Sequence, residues 1–150
     1  MRQRINRCAG LSLLVVAIGA CGSDGVAVDA AVAPFVGTWD AVVLTVSAEP
    51  PSSVVVDVLA TGGSFWISVE PSGQYTATLE FAGPHVELGD LTVQSSSQFT
   101  LNPQGGSPAP SAYVFAKPDS LVLDGATEFD FNLDFVSEPG QAHFELVRRP

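Results

Sequence analysis

Pro34-Phe35-Val36-Gly37-Thr38-Trp39 opens the strand-rich part of the chain, and the rest of the fold can be read outward from it. A glycine, one residue, then a tryptophan stand at the start of a first strand. A cation from another strand can lie on the face of such a ring. The far end of the chain supplies candidates in Phe144-Glu145-Leu146-Val147-Arg148-Arg149. Side chains alternate faces along a strand, so Phe144, Leu146 and Arg148 share the core face while Arg149 points outward. This parity predicts Arg148 over Trp39 and Arg149 in water.

Between these two ends the signal is β throughout, with no convincing helical period. In Glu128-Phe129-Asp130-Phe131-Asn132-Leu133-Asp134-Phe135 the apolar residues fall on one face and the polar ones on the other, as in a half-buried antiparallel strand. Similar runs are Phe65-Ile67-Val69, Tyr75-Ala77-Leu79-Phe81, Leu91-Val93, Phe99-Leu101, Leu121-Leu123 and Ala142-Phe144-Leu146. The breaks carry turn chemistry at Pro71-Ser72-Gly73, Gly83-Pro84, Pro118-Asp119 and Pro139-Gly140, and Asp124-Gly125 suits a type I′ turn. Asn102 to Ser111, with three prolines and two glycines, reads as a ten-residue loop. Short strands joined by tight turns pair in sequence order. The expected fold is all-β, a small antiparallel up-and-down barrel of about eight strands, with a β-sandwich as the alternative.

Upstream of Pro34 the chain changes character. Residues 1–10 carry Arg2, Arg4 and Arg7 and no acid, and Leu11 to Ile18 is an apolar run too short to span about 30 Å of hydrocarbon. Ile18-Gly19-Ala20-Cys21 resembles the lipobox of bacterial lipoprotein signal peptides. That resemblance implies a signal peptide over 1–20, cleavage before Cys21, and acyl chains on Cys21 that hold the protein to a membrane. Gly22, in place of an aspartate, suggests the outer membrane. Gly22 to Ala33 then forms a flexible tether reaching roughly 20 Å, leaving residues 34–150 as the folded domain.

The barrel itself resembles lipocalins and the shorter bacterial lipocalin-like domains. The residues that carry the likeness are the Gly37-x-Trp39 signature, the Ser72-Gly73-Gln74-Tyr75-Thr76 hairpin and the final strand ending in arginine. The likeness implies a barrel-closing set of Gly37, Trp39 and Arg148, and an interior able to hold a small apolar ligand. Phe65, Tyr75, Phe81, Phe129, Phe131 and Phe135 are the candidate lining residues. The chain departs from classical ligand carriers in having no Thr-Asp-Tyr motif, no disulfide and no C-terminal helix on the barrel.

Charge and composition narrow the function further. The part from Cys21 onward has three basic residues against sixteen acidic ones, a net charge of −13. Such a surface repels nucleic acid and anionic headgroups. Cys21 is the only cysteine left after cleavage, which excludes an internal disulfide and a cysteine-ligated zinc. His85-Val86-Glu87 and His143-x-Glu145 are two-ligand pairs that ordinary surface residues explain. Asp130-Phe131-Asn132-Leu133-Asp134 mimics the start of a calcium loop but has Phe135 where glycine belongs and Gln141 where glutamate belongs. No nucleophile elbow, phosphate loop or dinucleotide fingerprint occurs. The expectation is a non-enzyme without metal or cofactor: a lipid-anchored envelope protein whose barrel binds a small hydrophobic ligand. The alternative is a structural or protein-interaction module with a filled barrel.

Overall fold

The computed structural model describes residues 28–50, 52–134 and 136–150. The residues read as signal segment and lipobox, the first half of the tether and Phe135 lie outside the described residues. A single 3-10 turn, Ala33–Phe35, precedes β1 (Gly37–Ala48), β2 (Val55–Asp57), β3 (Ser64–Val69), β4 (Gln74–Glu80), β5 (Pro84–Ser95), β6 (Gln98–Pro103), β7 (Ala109–Lys117), β8 (Ser120–Phe129) and β9 (Glu138–Arg148).

From β3 to β9 each strand pairs antiparallel with the next, and β9 returns to pair with β1. Of β1's two edges, one takes β9 and the other is shared. On the shared edge β3 bonds Gly37 to Asp40, while β2 bonds Thr45 to Ser47. The ring therefore has eight strand positions, one of them split between β2 and β3. The chain forms a closed, lipocalin-like barrel and not a sandwich.

Alternation decides which side chains face inward. Tyr75 and Ala77 on β4, Leu121 and Leu123 on β8, and Ala142 and Leu146 on β9 are all buried. Strand β1 breaks the rule once. Its register to β9 slips between Ala41 and Val43, so Val42 is the extra residue of a bulge and is left half-exposed. Before the bulge Trp39 faces inward, and after it Leu44 and Val46 do.

Two turn readings and one strand reading change in the structure. Asp124-Gly125 lies within β8, because the inward series Leu121, Leu123, Thr127, Phe129 continues straight through it. Gly125 is there for space: a Cβ would sit 2.7 Å from the Ser111 hydroxyl of β7. Pro139-Gly140 lies within β9, where a Cβ on Gly140 would meet the Ser47 carbonyl at 2.7 Å and the Phe131 ring at 2.9 Å. Residues 130–134, read as strand, instead leave the sheet after Phe129. Asp130, Asn132 and Asp134 accept backbone N–H bonds from within the segment, at Asp134 and Val136, and so offer the chain a turn in place of a ladder. The ten-residue loop shortens to residues 104–108, since β6 and β7 run into it from both sides.

The two ends of the barrel differ. At one, the turn end, the connections 70–73, 96–97 and 118–119 are tight. At the other, the loop end, the chain makes its long excursions through 49–54, 58–63, 104–108 and 130–137.

Candidate functional site

The turn end is closed by residues from both ends of the chain. Val32 and Phe35 are buried there, so packing begins two residues before Pro34. Phe35 meets Tyr113 edge-on at 4.9 Å and Phe99 at 5.6 Å between ring centroids. Trp39 is 1% exposed, and its indole Nε1 donates to the Phe35 carbonyl at 2.8 Å. Trp39 and Arg148 are register partners on β1 and β9, and the Arg148 Cζ stands 4.1 Å from the indole centroid. The same guanidinium donates to the Pro34 carbonyl at 2.7 Å and to that of Val36.

Gly37 completes this group for a geometric reason. Its φ is +125°, and a Cβ would lie 2.7 Å from Arg148 Nη1. Glycine is thus required both by the backbone and by the cation packed on it. Arg149 is exposed, as parity dictates, but it is not simply solvated: Nε donates to Asp40 Oδ2 at 2.9 Å and Nη2 to Oδ1. The hydrogen bond from Arg149 holds the Asp40 carboxyl below the usual carboxylate range.

Inside the barrel two clusters of side chains meet. The turn-end cluster surrounds Trp39, Ile67, Tyr75, Phe99, Tyr113 and Leu146. The loop-end cluster surrounds Leu44, Val58 and Phe129. Phe65 and Phe144 pack against both clusters and stand 4.8 Å apart. Phe81 stacks on Phe129 at 5.0 Å, and Phe129 on Phe131 at 5.1 Å. Of the candidate lining residues, Phe65, Phe81, Phe129 and Phe131 therefore form one contiguous plug towards the loop end. Tyr75 belongs to the other cluster, and Phe135 lies outside the described residues.

Tyr75 is the most perturbed titratable group. It is 2% exposed, and its hydroxyl donates to Glu87 Oε1 at 2.6 Å. Burial, reinforced by that carboxylate, pushes its pKa well above the ordinary tyrosine value. The ring needs Gly89 beside it, where a Cβ would lie 2.8 Å from the phenol oxygen and 2.3 Å from the Asn102 carbonyl.

The two histidines occupy opposite situations. His85 and Glu87 sit on β5 and are exposed. His143 lies on the outer face of β9, with Nδ1 at 2.7 Å from Asp124 and Nε2 at 3.8 Å from Glu145. Among the described residues no group of three His, Cys, Asp or Glu side chains is placed to hold a metal ion.

Two concavities open at the loop end, on either side of the Phe131–Leu133 ridge. One, of about 510 Å³, is lined by Gly62, Glu80, Phe81, Pro84 and Leu133. The other, of about 620 Å³, is lined by Glu49, Val54, Phe131, Asn132 and Glu138. Sequence reasoning placed Phe131 and Leu133 inside a strand and so missed this surface. The signal that was available is the run of Asp and Asn at every second residue, which favours turns over ladders.

The chain matches no family model, no curated protein and no solved structure. Its class rests on the fold: a lipocalin-like, eight-position antiparallel β-barrel closed at one end by tryptophan and arginine.

Proposed function

We propose that this protein is a lipid-anchored cell-envelope domain, held through Cys21, that works as a non-catalytic interaction module with a filled barrel. The observation that carries the reading is the interior itself. Three groups of contacting rings occupy the space a carrier keeps for its ligand: one around Phe35, Trp39 and Tyr113, the Phe65–Phe144 pair packed against both clusters, and Phe81, Phe129 and Phe131. Ile18-Gly19-Ala20-Cys21 supports the anchor, and Gly22 supports an outer-membrane destination. The test has two arms. Labelled palmitate is incorporated by the wild type and not by Cys21→Ala. A fluorescent fatty acid fails to bind the full mature chain below about 100 µM, roughly −5.5 kcal/mol. Labelling that persists without Cys21 removes the anchor, and stoichiometric fatty-acid binding that survives Leu133→Asn removes the filled barrel.

A second reading has one observation in its favour. The concavity of about 510 Å³ beside Phe81 and Leu133 falls in the size range of small-molecule sites. A small hydrophobic ligand would then sit at the loop end, above the rings and not among them. Fatty-acid binding that is lost in Leu133→Asn would establish this version.

A further inference from the structure

The loop end combines exposed apolar side chains, two concavities and one sign of charge. Val54, Val55, Leu133 and Val136 are between 46% and 63% exposed there. Leu133 is held outward by a left-handed backbone, φ +60°, which a leucine rarely adopts. Glu49, Glu80 and Glu138 stand in the walls of the concavities, and Asp130 and Asp134 belong to the ridge segment. All three cations of the described residues, Lys117, Arg148 and Arg149, are at the opposite end. Among the described residues the loop end thus carries acids and apolar side chains without a lysine or arginine, while Lys117, Arg148 and Arg149 all lie at the other end.

We infer that the loop end docks a protein partner through a cationic segment interleaved with apolar side chains. The inference deepens the interaction-module reading and rests on it. Apolar side chains of the segment fill the concavities on either side of the Phe131–Leu133 ridge, and its lysines or arginines meet the acids in their walls. Charge decides against the other occupants. Two loop ends repel each other, and so do a loop end and an anionic bilayer. A head-to-tail copy finds Arg148 and Arg149 already engaged and brings only Lys117 to the several acids of the loop end. The geometry also suits a tethered molecule. The chain reaches Val28 at the turn end, seven residues after Cys21, or at most about 25 Å of extended backbone. A chain anchored there enters the barrel at the end opposite the proposed docking surface.

The experiment uses the full mature chain with Cys21→Ser and two fluorescein-labelled synthetic peptides, one alternating lysine with leucine, the other alternating glutamate with leucine. Fluorescence anisotropy shows the lysine peptide binding at least about tenfold more tightly, a gap of about 1.4 kcal/mol that closes as salt is raised. Leu133→Asn, which suits a left-handed backbone, weakens the lysine peptide about tenfold while the denaturation midpoint holds. Glu80→Lys weakens it severalfold. Equal binding of both peptides, binding of neither, indifference to Leu133→Asn, self-association in place of peptide binding, or preference for anionic vesicles each overturns the inference. A negative peptide result sinks this docking alone, whereas fatty-acid binding that survives Leu133→Asn sinks the filled-barrel reading beneath it.

Discussion

Arg148 lies over the indole of Trp39, 4.1 Å from its centroid, while its guanidinium is also bonded to the carbonyls of Pro34 and Val36. One side chain thereby ties the last strand to the first strand and to the segment that caps it. Arg148→Ala removes a cation–π contact of about 2 kcal/mol and charge-assisted hydrogen bonds, and lowers stability by about 3 kcal/mol in urea denaturation. Arg148→Lys recovers less than half, because an ammonium cannot span both carbonyls and the ring. Combined with Trp39→Phe, the loss is smaller than the sum of the single losses.

Arg149 behaves differently, because its partner Asp40 is at the surface. The Asp40 carboxyl is held below its ordinary pKa, so the pair's contribution is present above the ordinary carboxylate pKa of about 4. That contribution disappears as the pH falls through the folded value. Arg149→Ala therefore lowers the denaturation midpoint slightly at neutral pH, and the two proteins converge in acid. High salt narrows the neutral-pH difference as well.

Tyr75 sets the alkaline limit. Its phenol is kept neutral by burial and by Glu87, so the stability it confers is whole below the unfolded tyrosine pKa of about 10. Above that value the unfolded chain ionises first, and stability falls as the pH rises. Absorbance at the phenolate band shows this residue ionising only together with unfolding. Tyr75→Phe removes that component and costs about 1–2 kcal/mol at neutral pH through the lost hydrogen bond to a carboxylate.

Glycines separate into two kinds when alanine is introduced. At Gly89 a Cβ would lie 2.3 Å from the Asn102 carbonyl, which the β5–β6 ladder holds in place, so Gly89→Ala costs about 3 kcal/mol. At Gly105, in an open loop with φ +80°, only backbone strain is incurred, and the cost is about 1 kcal/mol. Thermal unfolding ranks the two.

The inward face of the barrel was largely legible, and the reason is burial. Where one face must be apolar, residues such as Ile67, Ala77, Leu123 and Leu146 betray both the strand and its register. The places that misled are those where a residue serves a neighbour and not its own strand. Gly125 reads as a turn but makes room for Ser111, and Gly140 does the same for Phe131. Taking Asp124-Gly125 as a turn cuts β8 in two, while β7, with Tyr113 and Phe115 inward, goes unmarked. The two errors offset in the strand count. Legibility at the ends followed the same division. Gly37, Trp39 and Arg148 are brought together by strand parity, which sequence displays. The Phe131–Leu133 ridge depends on side-chain to backbone hydrogen bonds that outcompete an apparently good β pattern, which sequence hides.

One strand, β9, closes the ring, pairing with β1 on one side and with β8 on the other. Until β9 arrives, β1 and β8 are two open edges of a curved sheet, displaying unpaired backbone groups along most of their length. Loss of even the last dozen residues turns a self-contained barrel into a template for other chains to pair with. Closure therefore rests on one strand: with β9 in place, neither β1 nor β8 has that edge left to offer.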